Sequence, residues 1–426
     1  MIDIKLIRVD STLVKDNIKK KFQKEKLALV DKIARNDTDW RKIKAQVDSL
    51  RAERNKISKE VAQAKKDKKD VRKLIKKAKE IPDKIVKFED KATKLRKQLN
   101  SDLLEIPNII HKSVPIGADA SKNKEIRRWG KPIKPNFKIR NHVELIEKFG
   151  FGDFEVARKT SGQGFNYLLG EMAMLDHALQ RYGVDFMIKK GFKLVVPPML
   201  LNFQTFLGAA SGLKDVQDVV YKIEDEDLYL IGTAEHTLAA LLKGKTVQKN
   251  ELPIKVCALT SCFRKEIGSH GVDTKGLFRM HQFNKVEQVV FSLPENSFKM
   301  LEEMQKITEE FFKSLKIPYR VIEICSGDLG DKFARQYDIE AWFPRQNAYA
   351  EITSAGNCTD FQARALNVKY WDKGERKHVH ILNNTMVATS RAMVAILENF
   401  QQKDGTVKVP AVLVPYMNRK RVIGKK

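Results

Sequence analysis

Between Thr260 and Glu287 the chain reads TSCFRKEIGSHGVDTKGLFRMHQFNKVE, a run dense in groups that can hold a polyanion. Arg264, Lys265, Glu266, His270, Asp273, Lys275 and Arg279 fall at the ends of two strand-like segments or between them, and Gly268, Gly271 and Gly276 let backbone approach a ligand there. An arginine fork matches a phosphate with two parallel hydrogen bonds, and Phe283 offers a ring face to a base. Each of these side chains taken singly reads as solvated surface; only the constellation points to phosphate chemistry. Farther on, Glu351 and Ser354 form a hard-oxygen pair three residues apart, suited to magnesium, although single acids in strands usually face solvent. Arg391 stands near the start of an apolar helical run, where it reads equally as a helix-surface arginine. Thr233 precedes another such run with Glu235 in its first turn, which helix capping alone explains.

The elements that must position these groups follow from periodicity. Val256 to Phe263 and Leu277 to Val290 alternate in the manner of two antiparallel strands joined by the charged loop. A long amphipathic helix is expected from Leu168 to Lys190, then a strand ending at Pro197. Residues 213–227 read as a polar connection leading to a strand at Leu228–Ile231. Phe298, Leu301, Met304, Ile307, Phe311, Phe312 and Leu315 mark a helix over 294–316 that serves core packing. Tyr337, Asp338, Glu340 and Trp342 alternate along a further strand. No G-x-x-x-x-G-K-[ST] loop follows any strand, which argues against a parallel nucleotide-binding sheet. The tail NRKRVIGKK is short and basic and is expected to fray.

With 80 Lys+Arg against 54 Asp+Glu the chain carries +26, so a polyanionic partner is expected, nucleic acid before an anionic membrane. Residues 1–100 alone hold 32 Lys+Arg against 16 Asp+Glu. There Trp40, Ile43, Val47, Leu50, Arg54, Ile57, Val61 and Ala64 repeat at alternating spacings of three and four, a heptad seam interrupted at Arg54. Val71, Leu74, Ala78, Ile81, Ile85, Phe88, Ala92, Leu95 and Leu99 make a second seam, and the polar run KKDKKD at 65–70 separates the two as a tip. The pattern predicts an antiparallel helical hairpin over about 36–101 with a kink at Pro82. Periodicity alone leaves open whether its lysines meet RNA or only solvent around a dimerising coiled coil. Pro107, Pro115 and Gly117 end the second helix, and a linker is expected over 111–140. The four cysteines form no C-x-x-C pair and read as reduced structural thiols. No apolar run approaches eighteen residues and the N-terminus lacks an apolar signal core, so a soluble cytoplasmic protein without a membrane partner is expected.

The run F-R-x-E, G-S-H-G-x-D-T-x-G-L, F-R-x-H-Q-F-x-K-x-E closely resembles motif 2 of the seryl-tRNA synthetases, a class II aminoacyl-tRNA synthetase family. GFKLVVPPM resembles motif 1, which builds a homodimer interface in that class, though a helix packed on its own sheet explains the same residues. HILNNTMVATSRAMVAILENF resembles motif 3. D-W-R at Asp39–Arg41 and the run from Leu50 resemble the family's tRNA-binding arm, and RRWG at Arg127–Gly130 also has a matching place.

The resemblance implies an α+β chain: an N-terminal antiparallel helical hairpin within 1–110, then a class II catalytic domain over 141–417 with an antiparallel sheet flanked by helices, and a tail at 418–426. It implies ATP-dependent attachment of L-serine to tRNA(Ser) with Mg2+. Serine is then expected at Thr233, Ala234, Glu235, Arg264, Glu287, Asn383 and Thr385. ATP is expected at Arg264, Lys265, Glu266, Met280, Phe283, Glu351, Ile352, Thr353, Ser354 and Arg391, with the metal on Glu351 and Ser354. Arg264, Glu351 and Arg391 are the expected catalytic groups, and loss of Arg264, Glu287, Glu351 or Arg391 would mark an inactive RNA-binding relative; all four are present. Two departures stand out: Ala355-Gly356 where the family commonly has Cys-Ser, and Ala365 in place of the second of two arginines.

Overall fold

The computed structural model describes residues 1–210, 219–266 and 276–425; His270, Asp273, Lys275, Gly268, Gly271 and residues 213–218 lie outside the described residues. The chain divides into two compact units, Asp3–Lys19 with Gln23–Ile106, and Met1–Ile2 with Lys20–Phe22 and Pro107–Lys426.

The first unit is helical: α1 (Ile4–Lys20), broken by non-helical backbone at Asp10, α2 (Leu27–Lys66) and α3 (Arg72–Glu105). Val47 and Ile57 of α2 bury against Ile81 and Ile85 of α3, with Leu50, Val61, Leu74, Ala78 and Phe88 beside them, which is the seam that the heptads require. Arg8 grips Asp37 with two hydrogen bonds of 2.8 and 2.7 Å and so ties α1 to α2. The hairpin is longer than its expected start at residue 36, because Val30 and Ile33 already lie buried on α2. Pro82 does not interrupt α3. Its ring faces solvent, and Ile81 and Ile85 on either side are anchored in the seam.

The second unit is built on an eight-stranded sheet whose strands in chain order are β1 (Lys124–Trp129), β2 (Lys193–Leu194), β3 (Ile254–Phe263), β4 (Gln282–Ser292), β5 (Tyr319–Glu323), β6 (Arg335–Phe343), β7 (Ala348–Asn357) and β8 (His380–Ala388). Across the sheet the order is β1-β5-β6-β7-β8-β4-β3-β2. All neighbours are antiparallel except β2 and β3. Helices α4 (Gly170–Lys189), α5 (Ala234–Ala239), α6 (Ser297–Ser314) and α7 (Thr389–Asn399) flank it. Leu175 and Leu179 of α4, Leu301 and Phe311 of α6, and Met393 and Leu397 of α7 share one apolar core with Val286, Leu382 and Ile339 of the sheet.

Four expectations shift. Residues 124–129, expected within a linker, form the outermost strand β1, where Ile126 and Trp129 pack on the core. The strand expected to end at Pro197 pairs only at Lys193–Leu194, with one more bond from the Val195 N–H to the Cys257 carbonyl, since the prolines that follow have no N–H to donate. The second strand of the charged hairpin begins at Gln282 rather than Leu277, because the Leu277 N–H turns away to His142 Nε2 at 3.0 Å. The basic tail does not fray: Val422–Ile423 pairs with Val407–Lys408, Ile423 is buried, and Glu171 accepts from Lys420 Nζ and from the Gly424 N–H.

Candidate active site

The antiparallel order sets β3, β4, β8 and β7 side by side, and the polar residues on them open into one cleft. Arg264, Glu266, Met280, Phe283, Lys285, Glu351, Ile352, Thr353, Thr385 and Arg391 line it, together with Phe278, Arg279 and Ser390. Arg264 donates from Nε to the Gly232 carbonyl at 3.1 Å and lays its guanidinium over Phe283, 5.4 Å from the ring centre. Arg391, in the first turn of α7, stands 5.4 Å over the Phe278 ring and donates from Nη1 to the Glu351 carbonyl and to its carboxylate, both at 3.2 Å. Two of the residues expected to meet the phosphates thus contact each other directly.

Of the residues expected to hold serine, Arg264 and Thr385 line the cleft and the others do not. Thr233 caps α5: its hydroxyl accepts from the Glu235 N–H at 3.2 Å and donates to Glu287 Oε2 at 3.3 Å. Thr385, opposite Glu287 in the β4–β8 ladder, donates to the same oxygen at 3.2 Å. Burial pushes the Glu287 carboxyl above its ordinary range, and the neighbouring Lys285 pulls it back. Asn383, also buried, points its amide nitrogen at Cys358 Sγ. Thr233, Ala234, Glu235, Glu287, Asn383, Ser354 and Lys265 do not line the cleft itself; Lys265 is fixed by its N–H to the Val219 carbonyl.

Two buried lysines were not singled out in the sequence. Lys285 Nζ lies 2.6 Å from Glu287 Oε2 and 3.3 Å from Thr385 Oγ1, and Lys332 Nζ lies 2.6 Å from Glu235 Oε1. Lys285 left a trace in the sequence, since it stands two residues before Glu287 on one strand and so shares a face with it. Lys332 left none, because it comes from a loop far along the chain.

Glu351 and Ser354 are three apart on a strand, which by plain alternation would send them to opposite faces. A bulge corrects this. Glu340 pairs with Glu351 while Ile339 pairs with Thr353, so Ile352 is an extra residue that resets the alternation. Asp338 lies opposite Ser354 in the ladder, and its carboxyl is held above the usual range by burial and by the charge of Glu351. Gln336 donates to Ser354 Oγ at 3.0 Å. Two carboxyls and a hydroxyl gathered in this way suit a hard cation, whose charge would offset their mutual repulsion. Among the described residues no group of three or more His, Cys, Asp or Glu is placed to hold a metal ion.

Comparison with known proteins decides the family. Residues 1–110 match the seryl-tRNA synthetase N-terminal domain, and residues 220–400 the class II tRNA synthetase core domain (G, H, P, S and T). A serine–tRNA ligase of Methanocella arvoryzae is 45% identical over 98% of this chain and 99% of its own length. The chain belongs to the seryl-tRNA synthetase family. The crystal structure of seryl-tRNA synthetase from Pyrococcus horikoshii complexed with ATP superposes with a TM-score of 0.91 at 44% identity, covering 99% of each chain. The cytoplasmic enzyme of Naegleria fowleri in complex with AMP gives 0.85 at 35% identity, covering 99% of this chain and 98% of that one.

Against the family pattern, the departure at Gly356 has a steric reason: a Cβ there would fall 2.1 Å from Phe333 Cε1. The Phe333 ring occupies the place that a larger residue's side chain would need. Ala365 sits on the short helix Phe361–Leu366 beside Gly208, and nothing in the structure explains the loss of the arginine.

Proposed function

We propose that this chain activates L-serine with ATP and transfers it to tRNA(Ser). A serine carboxylate oxygen attacks the α-phosphorus, a P–O bond forms, and pyrophosphate leaves; the terminal 3′-hydroxyl of the tRNA then attacks the seryl carbonyl and AMP departs. Neither step needs a protein nucleophile, so orientation and charge neutralisation carry the rate. The observation that carries this reading is the single cleft shared by Arg264, Phe283, Lys285, Glu351 and Arg391. The chain aligns nearly end to end with relatives named serine–tRNA ligase, and with a structure holding ATP.

In this reading adenine stacks on Phe283 opposite Arg264, and the Arg264 fork spans the α-phosphate and the serine carboxylate. Arg391 meets the leaving pyrophosphate. Lys265, Glu266, Met280, Ile352 and Thr353 complete the nucleotide contacts. Glu351 and Ser354 hold Mg2+, which when bound neutralises charge on the phosphates. Glu287 and Thr385 receive the serine hydroxyl, and Thr233, Ala234, Glu235 and Asn383 shape the pocket around it. A site built to hydrogen-bond a hydroxyl strongly rejects alanine, whereas the extra methyl of threonine is worth only about 1–3 kcal/mol.

The helical hairpin takes the tRNA through its phosphates; its excess of lysine and arginine supports that. The catalytic unit pairs with a second copy through motif 1. Exposed Leu194, Val196 and Met199, with Ile188 on α4, form the apolar surface that supports it. No helix among the described residues is long and apolar enough to cross a membrane, in keeping with a place in the cytoplasm. Serine-dependent exchange of labelled pyrophosphate into ATP tests the central proposal. Exchange that is absent with serine and present with another amino acid overturns it.

A further inference from the structure

Glu235 has two partners that its place in the serine pocket does not explain. The residue is 6% exposed, and its Oε1 receives both Lys332 Nζ at 2.6 Å and Gln362 Nε2 at 2.8 Å. Gln362, fully buried, also donates from the same nitrogen to the Ala209 carbonyl at 2.7 Å, so both N–H groups of its amide are used. Lys332 belongs to the loop between β5 and β6, and that loop is pinned along its length. Ser326 and Gly327 donate their N–H groups to the carbonyls of Pro115 and Gly117, both at 2.8 Å. The buried Asn108 amide donates to the Lys332 carbonyl itself at 2.9 Å. Phe333, the next residue, lies against Gly356 so closely that no Cβ fits between them, and its ring is 5.0 Å from Lys332 Nζ.

A buried ion pair is weak evidence for stability, since desolvating both charges offsets most of their attraction. It is better evidence for placement, because a polar contact in a fitted pocket works only if its own orientation is locked by packing and hydrogen bonds. Glu235 and Glu287 come from different elements, lie close enough for their charges to interact, and each is paired with its own lysine. We infer that Lys332, with Gln362 as the second arm of a clamp and the Phe333–Gly356 contact as its seat, is a positioning residue that aims the Glu235 carboxylate at the serine substrate. The inference rests on the serine reading of Glu235. It gives Gly356 a role: a side chain there displaces Phe333 and with it Lys332. Lys332 itself touches neither serine nor ATP.

Pyrophosphate exchange by the full-length chain tests this, with KM measured separately for serine and ATP. Glu235→Gln first establishes the pocket and is expected to raise the serine KM at least tenfold. Lys332→Met is expected to raise it by a similar factor while the ATP KM stays within twofold, and Lys332→Arg is expected to recover most of the loss. If Lys332→Met does not fold, Gly356→Ala tests the same clamp with every charge in place. It is expected to raise the serine KM severalfold, and adding Phe333→Leu is expected to reverse that increase by making room. A serine KM unchanged in Lys332→Met, or in the folded Gly356→Ala protein, while Glu235→Gln is impaired, overturns the clamp and leaves the serine reading standing. An unimpaired Glu235→Gln overturns the serine reading of that residue and the clamp together.

Discussion

The helical hairpin and the catalytic cleft are both rich in charge, and they use it in opposite ways. Most pairs along the hairpin are exposed, although Asp37 and Asp102 are buried: Arg51 and Glu89, 2.5 Å apart, keep 50% and 39% of their side-chain surface in solvent. In the catalytic unit Lys285–Glu287 and Lys332–Glu235 are nearly sealed from water. Exposed pairs contribute about 0–1 kcal/mol each and are screened by salt, so their residues remain free to meet a mobile polyanion. Breaking a sealed pair costs on the order of 3–5 kcal/mol, because the survivor is a buried charge without a partner. The hairpin is organised for long-range attraction and the cleft for fixed orientation.

The largest expected effect lies at the cleft mouth, where Arg391 and Glu351 are partly exposed yet assigned to the reaction itself. Arg391→Ala and Glu351→Gln are each expected to reduce serine-dependent pyrophosphate exchange at least a hundredfold, of the order set by losing one preorganised electrostatic contact. Transfer from preformed seryl-adenylate is expected to be affected less, since pyrophosphate has already gone. Equal loss in both half-reactions, measured by single turnover, would show that the pair only maintains structure.

Next comes binding of tRNA. A chain in which residues 36–101 are bridged is expected to keep serine activation within a few-fold and to lose most tRNA charging. The slope of log binding constant against log salt is expected to flatten, because each phosphate contact contributes to it. Wild-type charging by the bridged chain would remove the hairpin from the tRNA site and undo the contrast between the two regions.

Stability offers the direct test of sealed against exposed charge. Lys285→Met is expected to lower unfolding free energy by on the order of 3–5 kcal/mol, and Arg51→Ala by no more than about 1 kcal/mol, in urea titrations followed by circular dichroism. Similar losses from the two would mean that burial does not separate them.

The last expected effect is acid sensitivity. All eight histidines lie beyond residue 110, so this titration belongs wholly to the catalytic unit. Burial lowers the His380 pKa to about 4, while its Nδ1 meets Ser297 Oγ at 2.8 Å. The unfolded chain, with an ordinary histidine near 6.5, binds the proton first. Stability is therefore full above that value and is lost as pH falls from about 6.5 toward 4, by on the order of 3 kcal/mol for this group. Burial likewise holds His236 well below its ordinary value, adding a loss of the same sign. His380→Gln is expected to reduce the slope of stability against pH in that window, and an unchanged slope would place the acid sensitivity elsewhere.

The hairpin was legible in the sequence because its contacts are local and periodic. A heptad seam names its own partner, and the revisions concerned how far α2 extends and the kink expected at Pro82, through which α3 continues. The charged hairpin of β3 and β4, the cap at Thr233 and helix α6 were equally local. The family resemblance supplied which polar residues would share one cleft, something no spacing within a single strand dictates. Where tertiary pairing overrode local pattern, the reading moved: 124–129 became a strand because β5 offers it an edge, and the tail was held by Glu171, some 250 positions earlier in the chain.

What the sequence determined by itself was the set of elements and the chemistry of their side chains, since both follow from residue type and period. What only the tertiary structure decided was which charges are sealed together. Lys332 reaches Glu235 from 97 positions away, and the bulge at Ile352 sets Glu351 and Ser354 beside Asp338. Such pairings rest on strand order, register and excluded water, and these exist only once the chain has closed on itself.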